Sequence, residues 1–184
     1  MSQGARIALD LAQRAPERVS ALILDGAPGM DALPGGPWLQ ETPLERYRKM
    51  LVDGGIEALR AELAEHPLMR LCTREPAPRK ALDAMLARYS GADLADPTSG
   101  QATRAPDPTG LRVPALILNG ERDTPQRLAA GAALARTIPG CARRVIPQAG
   151  HLACLDQPDT YGRIVSDFLV HNTQPTPLER MESP

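Results

Sequence analysis

Three residues of this sequence have side chains suited to nucleophilic catalysis: Ser2, Asp123 and His151. A serine hydroxyl becomes an effective nucleophile at neutral pH when a base takes its proton, and a histidine can take that proton and return it to a leaving group. A carboxylate can hold the imidazole in the required tautomer and stabilise its protonated form. The residues occur in the chain order serine, acid, histidine.

These residues fall where a parallel sheet collects reacting groups. Apolar runs at 19–24, 113–118 and 143–146 predict three short strands separated by helical patterns. Asp123 and His151 follow the second and third runs, and Ser2 opens a helix at the place where an earlier strand would end. We therefore expect the three side chains to meet outside the carboxyl ends of the strands of an α/β fold.

Helices flank the predicted strands. An amphipathic pattern predicts a helix over residues 5–15, and Thr124 and Pro125 are suited to the cap and first position of a second one. A third helix is predicted over 156–170, followed by a disordered tail at 171–184. The residues expected to be buried on these helices are Ile7, Ala8, Leu11, Ala12 and Ala15, then Leu128, Ala132, Ala135 and Ile138, and finally Tyr161, Ile164, Val165, Phe168 and Leu169.

Between residues 29 and 110 the sequence predicts a helical insertion without strands. Thr42 and Pro43 are suited to begin its first helix, and two further helical patterns follow before a Pro- and Gly-containing loop at 93–109. Apolar residues of this insertion could line a pocket, although such residues more often form core: Trp38, Leu39, Met69 and Leu71.

The sequence resembles the alpha/beta-hydrolase superfamily, in particular its capped esterase, enol-lactonase and peptidase branch. Four stretches carry the resemblance: Ser2-Gln3-Gly4-Ala5, Ala15-Pro16-Glu17-Arg18-Val19, Val113 to Ile117 with Gly120-Glu121-Arg122-Asp123, and Gln148-Ala149-Gly150-His151. The resemblance implies that Ser2 is the nucleophile of a G-x-S-x-G turn, His151 the general base and Asp123 the orienting acid. Asp25 is the alternative acid, because some members place it after the preceding strand.

The Ser2 turn has further implications for its neighbours. The backbone N–H of Gln3 begins a helix and is the expected first oxyanion donor, and Gly4 is expected to permit close helix packing. Met1 stands inside this turn, so we expect the chain to be the C-terminal portion of a longer enzyme that lacks the second oxyanion donor.

The predicted organisation is therefore a partial α/β-hydrolase fold. Its core comprises residues 1–28 and 111–170, with the last three parallel strands of the family's sheet, and residues 29–110 form a helical cap and linker. The strand at 19–24 would expose an apolar edge. We expect low solubility or low activity from this chain alone.

Composition excludes several classes of function. The 21 Lys and Arg residues against 22 Asp and Glu give a formal net charge of -1, and the arginines are dispersed, which disfavours nucleic acid and anionic membranes as partners. Cys72, Cys141 and Cys154 match neither a disulfide framework nor a zinc site, so we expect reduced thiols in a cytoplasmic protein. No metal or organic cofactor is implied.

The sequence favours a serine hydrolase that cleaves a small ester, lactone or related acyl substrate through an acyl-enzyme. Two alternatives remain: a truncated, catalytically incomplete fragment or non-catalytic binding module, and a C–C bond hydrolase, lyase or cofactor-free haloperoxidase that uses the same triad. Substrate identity depends on the shape of the cap and loops.

Overall fold

The computed structural model describes residues 1–27, 43–95 and 107–172. These residues form three β-strands and seven α-helices, with short 3-10 turns between some of them. In chain order the elements are α1 (Gln3–Arg14), β1 (Leu22–Asp25), α2 (Leu44–Ala64), α3 (Pro76–Arg88), α4 (Ala92–Ala95), β2 (Ala115–Gly120), α5 (Pro125–Thr137), β3 (Ala142–Ile146), α6 (Ala153–Asp156) and α7 (Pro158–Asn172).

The three strands form one parallel sheet in the order β1-β2-β3. Asp25 pairs with Leu118 and Gly120 with Ile146, so the strands end at one edge of the sheet. Every residue of the central strand β2 is buried, as expected for a parallel strand covered on both faces. The three predicted strands are confirmed, but β2 begins only after Pro114, which has no N–H to give to the ladder.

Helices pack on both faces of this sheet. Ala115 and Ile117 belong to a buried cluster that includes residues of α1 and α5, whereas Leu116 contributes to a cavity lined by residues of α7. Since successive strand residues point to opposite faces, α1 and α5 cover one side of β2 and α7 covers the other.

The predicted buried stripe of α1 is correct at Ala12 but wrong at Ile7 and Leu11. Ala5, Leu9 and Ala12 are buried, whereas the side chains of Ile7 and Leu11 are 64% and 49% exposed. Positions 5, 9 and 12 recur at helical spacing on one face, and the two alanines allow α1 to lie close to the sheet. Leu9 and two alanines therefore form the contact.

The predicted buried stripe of α5 is correct at Ile138 but wrong at Leu128, Ala132 and Ala135. Its buried residues are Arg127, Ala130, Gly131, Ala133 and Leu134, while Leu128, Ala132 and Ala135 are only half-buried. Gly131 lies against β2, because a Cβ there would come within 2.0 Å of Oδ1 of Asn119. Arg127 and Gly131 thus lie on a buried face next to the stripe that the sequence pattern predicted.

The last helical segment is divided in two. Pro158 disfavours helical geometry at Gln157, so α6 ends at Asp156 and α7 begins at Pro158. Leu169 was expected to be buried but is 37% exposed. Helix α7 continues through Asn172, so the disordered tail predicted from residue 171 begins too early, and residues 173–184 lie outside the described part.

Helices α2 to α4 form the region 43–95, which has an apolar cluster of its own around Tyr47, Leu59 and Leu94. Gly55, with φ of 73°, interrupts α2 between the two helical patterns that the sequence predicted there. The predicted cap at Thr42 and residues Trp38 and Leu39 lie outside the described residues, as do 96–106 of the predicted loop.

Candidate active site

Ser2 lies in a sharp turn at the start of α1. Its backbone has φ of 51° and ψ of -125°, a conformation that L-residues rarely adopt. Its N–H donates to the carbonyl of Asp25 at 2.8 Å, which ties the turn to the end of β1. A strained serine turn that leads directly into a helix is the geometry of a nucleophile elbow.

Asp123 and His151 form a buried pair beyond the ends of β2 and β3. Nδ1 of His151 donates to the Asp123 carboxylate, with both oxygens at 3.1 Å, and Asp123 Oδ1 also accepts from the N–H of Thr124 at 2.8 Å. The side chains are 2% and 0% exposed, respectively. A carboxylate can only accept, so the proton of the imidazole is on Nδ1 and the lone pair is on Nε2, as a general base requires.

Two glycines, Gly120 and Gly26, allow the loops that carry Asp123 and His151 to lie close to their neighbours. A Cβ at Gly120 would come within 2.1 Å of the carbonyl oxygen of Gly150, so the end of β2 can lie against the histidine loop only without a side chain. Gly26 has φ of 52°, and a Cβ there would come within 2.7 Å of Cε1 of His151. The residue after β1 therefore abuts the imidazole, while the residue before it binds the backbone of Ser2.

Within the described residues, no hydrogen bond joins Ser2 and His151. Nε2 of His151 is buried and has no hydrogen-bond partner among the described residues. The Ser2 hydroxyl instead accepts from Nη1 of Arg127 at 3.4 Å, and the same nitrogen donates to the carbonyl of Gly26 at 2.9 Å. The predicted acid and base are in contact, and the predicted nucleophile is bonded to an arginine beside them.

Asp25, the alternative acid, is also buried here but makes no hydrogen bond to His151. Neither of its carboxylate oxygens makes a well-aligned hydrogen bond within the described residues, although the Tyr161 hydroxyl lies close to them. Burial raises the pKa of the Asp25 carboxyl to about 6, although the Tyr161 hydroxyl, the terminal amino group and His151 act in the opposite direction. Asp123, rather than Asp25, is therefore the carboxylate hydrogen-bonded to the imidazole.

The expectations for Gln3 and Gly4 have different outcomes. The N–H of Gln3 is the first of α1 and, as in any helix, has no acceptor within the helix, so it can donate to a ligand beside Ser2. A Cβ at Gly4 would meet no atom within 4 Å. The close packing predicted at Gly4 is therefore absent from the described residues.

A cavity of about 470 Å³ opens beside Ser2, between the first turns of α1 and α5 and the region 43–95. Ser2, Gln3 and Arg127 contribute to its lining, and most of its other walls are apolar. These walls include Leu63, Met69, Leu82, Met85, Leu86 and Leu94, with Tyr47, Arg48, Tyr89 and Asp93 as polar members. Met69 thus lines a pocket as the sequence suggested, whereas Leu71 is not among the lining residues of this cavity.

Sequence reasoning missed Arg127, because charged residues on a helix usually face solvent. A signal was nevertheless present: positions 127, 130, 131, 134 and 138 recur at helical spacing, which places the arginine in the buried stripe. Only 5% of Arg127 is exposed.

Other expectations concern metals, thiols and membranes. In the described ranges, no three metal-ligating side chains come together, and none of the helices is long and apolar enough to cross a bilayer. Cys72, Cys141 and Cys154 are half-buried free thiols.

Comparison with known proteins gives a consistent assignment. A family model for the alpha/beta hydrolase fold matches residues 1–158. The chain is 30% identical over 178 residues to a Bacillus subtilis protein assigned as a 2-succinyl-6-hydroxy-2,4-cyclohexadiene-1-carboxylate synthase, covering 91% of this chain and 63% of that one. It is 32% identical over 182 residues to the pimeloyl-[acyl-carrier protein] methyl ester esterase of Methylococcus capsulatus, covering 91% and 68%.

Solved structures share this fold. A thermophilic esterase from Thermogutta terrifontis superposes with a TM-score of 0.75 at 25% identity, over 95% of this chain and 64% of the esterase. The chain thus spans about two thirds of the length of the proteins that it matches.

Proposed function

This chain belongs to the alpha/beta hydrolase fold family, and on that premise we propose that it carries the catalytic residues of a serine hydrolase. The reaction is cleavage of a small ester, lactone or related acyl substrate through an acyl-enzyme. Ser2 is the nucleophile, His151 the general base and acid, and Asp123 the residue that orients the imidazole.

The pairing of His151 with Asp123 is the observation that carries this proposal. The pair fixes the tautomer, and it leaves a basic nitrogen buried and without a partner at the same corner as a strained serine turn. A buried nitrogen left unsatisfied costs free energy on the order of 1–3 kcal/mol. Leaving Nε2 of His151 without a hydrogen bond is expected in a catalytic site, because this nitrogen must be free to accept a proton from a serine or a substrate.

The proposed reaction begins with rotation of the Ser2 hydroxyl from Arg127 toward Nε2 of His151. The oxygen attacks the acyl carbon while its proton passes to Nε2, and a tetrahedral oxyanion forms. When the ester bond breaks, His151 returns the proton to the leaving alkoxide and the acyl group remains on Ser2. A water molecule, deprotonated by His151, then releases the acid.

The developing oxyanion has two candidate donors. The N–H of Gln3 stands at the positive end of the α1 dipole, and Nη1 of Arg127 lies 3.4 Å from the attacking oxygen. A guanidinium adds positive charge in a buried site, where it stabilises an oxyanion more strongly than it would in water. We therefore assign Arg127 to stabilisation of the tetrahedral intermediate.

The cavity beside Ser2 supports an acyl group that is mostly apolar. Its volume of about 470 Å³ and its leucine and methionine walls suit an aliphatic chain or a small ring, with the reacting carbonyl beside Ser2. Two matched proteins are named as esterases, which agrees with this substrate class. The region 43–95 then serves as the cap over the site.

Hydrolysis of p-nitrophenyl esters of increasing acyl length tests the proposal. We expect slow turnover that is highest for acyl chains short enough to fit the cavity and that is abolished in Ser2→Ala. Turnover at the wild-type rate in Ser2→Ala would assign the activity to another group or to a contaminant.

A second candidate function is a binding module without catalysis. It is favoured by one observation: the Ser2 hydroxyl is bonded to Arg127 and not to His151. In that case apolar acyl esters would bind in the cavity and be recovered intact. Calorimetric binding of an ester without release of its alcohol would support this function over hydrolysis.

A further inference from the structure

Asp156 is a buried carboxylate that the proposed reaction does not use. It is the last residue of α6, five positions after His151, and only 5% of it is exposed. An isolated carboxylate at such a depth is costly, and charge-assisted hydrogen bonds compensate for this cost. The positions of its donors show which parts of the molecule it connects.

Three backbone N–H groups donate to Asp156. Oδ1 accepts from Cys72 at 2.7 Å and from Thr73 at 2.9 Å, and Oδ2 accepts from Gly150 at 2.7 Å. Cys72 and Thr73 belong to the strap, which we define as residues 70–73, between the turn at Pro67–Met69 and helix α3. Gly150 directly precedes His151. One carboxylate therefore bonds the helical region 43–95 to the histidine loop.

The strap and the histidine loop are also in close steric contact. A Cβ at Gly150 would lie 3.3 Å from the carbonyl oxygen of Arg70 and 3.3 Å from Sγ of Cys72. The strap directly follows Met69, which lines the cavity beside Ser2, and it leads into α3, which contributes Leu82 and Met85 to the same wall. A displacement of the strap would therefore move the substrate wall and loosen the support of the base together.

We propose that Asp156 is a positioning residue that holds the strap against the histidine loop, so that the cavity wall and His151 keep a fixed relative position. The catalytic part of this inference rests on the function proposed above, because His151 must be the base. The structural part, that Asp156 holds the strap against the histidine loop, does not depend on that function.

Exchange of the backbone amides tests the fastening directly in the full chain. Asp156→Asn removes the charge and turns an NH2 group toward one set of donors, so the amides of Cys72, Thr73 and Gly150 should exchange roughly tenfold or more faster. The matched control is Asp159→Asn, an exposed carboxylate at the start of α7, which should leave these amides at the wild-type rate.

The Cys72 thiol provides a second readout. Burial, and then the charge of Asp156, raise the pKa of Cys72. Peptide-resolved alkylation with iodoacetamide should therefore speed up at Cys72 in Asp156→Asn. It should stay unchanged at Cys141, which belongs neither to the strap nor to the histidine loop. The rate above the thiol pKa isolates strap opening, because the thiol is fully ionised there in both proteins.

Gly150→Ala and Asp156→Glu complete the test. Gly150→Ala places a methyl group 3.3 Å from the strap and retains the Asp156 side chain, so it should also speed alkylation of Cys72 even if Asp156→Asn fails to fold. Asp156→Glu keeps the charge and should restore part of the protection. Wild-type exchange at Cys72 and Gly150 in folded Asp156→Asn, or an equal change in Asp159→Asn, would overturn the proposal.

Kinetics separate the two parts of the inference. With a p-nitrophenyl ester, Asp156→Asn should lower kcat and raise KM together, because the base and the wall are both displaced. If the wild-type chain turns over no ester, the proposed function fails, while the exchange and alkylation results still decide whether Asp156 fastens the strap. Faster exchange with unchanged kcat and KM would contradict the positioning role.

Discussion

Nδ1 of His151 lies 3.1 Å from each of the two carboxylate oxygens of Asp123, in a position where both side chains are almost completely buried. The two residues are 28 positions apart and reach each other from loops that follow neighbouring strands. This arrangement fixes the imidazole tautomer before any substrate arrives. The activity of the protein should therefore depend on the Asp123–His151 pair and on the residues packed around that pair.

Replacement of Asp123 by asparagine should abolish most of the activity. An amide at this position can donate to Nδ1 and would favour the tautomer with the proton on Nε2, which cannot act as a base. In serine proteases the same change lowers kcat by about 10⁴-fold, and we expect a loss of similar order in ester hydrolysis. Asp25→Asn is the matched control and should keep kcat within about tenfold of wild type. The opposite ranking would make Asp25 the orienting acid.

Gly26→Ala should displace His151. The new Cβ would overlap the imidazole, at 2.7 Å from Cε1, and the backbone at this position has positive φ. We expect a loss of roughly 1–3 kcal/mol of unfolding free energy and a large loss of activity. Gly140→Ala isolates the backbone contribution, because Gly140 has φ of 66° and open space around its Cα. Urea unfolding measures the stability of both variants. Equal activity losses in Gly26→Ala and Gly140→Ala would argue against displacement of His151 by the new Cβ.

Arg127→Met should lower kcat by about 10- to 100-fold with a smaller change in KM, because a charged donor to the oxyanion is worth roughly 1.5–3 kcal/mol. Methionine approximates the length of the side chain without its donors. Arg136→Met, at the exposed end of the same helix, is the control and should have little effect. An increase in KM alone would instead identify Arg127 as a group that binds the ground-state substrate.

The buried carboxyl of Asp25 should make the protein less stable as pH rises. Well below pH 3.8 this group is protonated in both the folded and the unfolded chain and contributes nothing. Since its pKa is raised from 3.8 to about 6 on folding, the unfolded chain loses the proton first, and stability falls between these two values. Above pH 6 the contribution is a constant destabilisation of roughly 3 kcal/mol at most.

Asp25→Asn should remove this pH dependence. Urea unfolding at pH 8 should show a gain of about 1–3 kcal/mol over wild type, with a much smaller difference near pH 4. Asp83→Asn, at an exposed carboxylate, should leave the difference between the two pH values unchanged. A variant that is less stable than wild type at pH 8 would mean that the Asp25 carboxylate is stabilised rather than strained.

The contact between Asp123 and His151 could be expected from the sequence because strand ends are visible there. Asp123 and His151 each follow an apolar run, and parallel strands bring such positions to one edge of a sheet. Their direct contact also depends on Gly120 and Gly26, whose importance lies in atoms from distant loops and not in any local pattern.

The helix faces were only partly predictable, because apolar residues of both sizes stand on more than one face of α1 and α5. In α1 the small residues Ala5 and Ala12 pack inward while Ile7 stays exposed, and in α5 the buried stripe includes Arg127. Hydrogen bonding explains that exception, since the guanidinium donates to a backbone carbonyl and to Ser2. Partners of this kind are not encoded in periodicity.

The most direct test of the account is covalent labelling of Ser2. The chain is incubated with a fluorophosphonate, and the adduct is located by peptide mass spectrometry. We predict a single adduct on Ser2 that is lost in Ser2→Ala, strongly reduced in His151→Gln and retained in Ser166→Ala, a serine of α7 far along the chain. A chain that stays unlabelled, or an adduct that persists in Ser2→Ala, would contradict the assignment of Ser2 as the nucleophile.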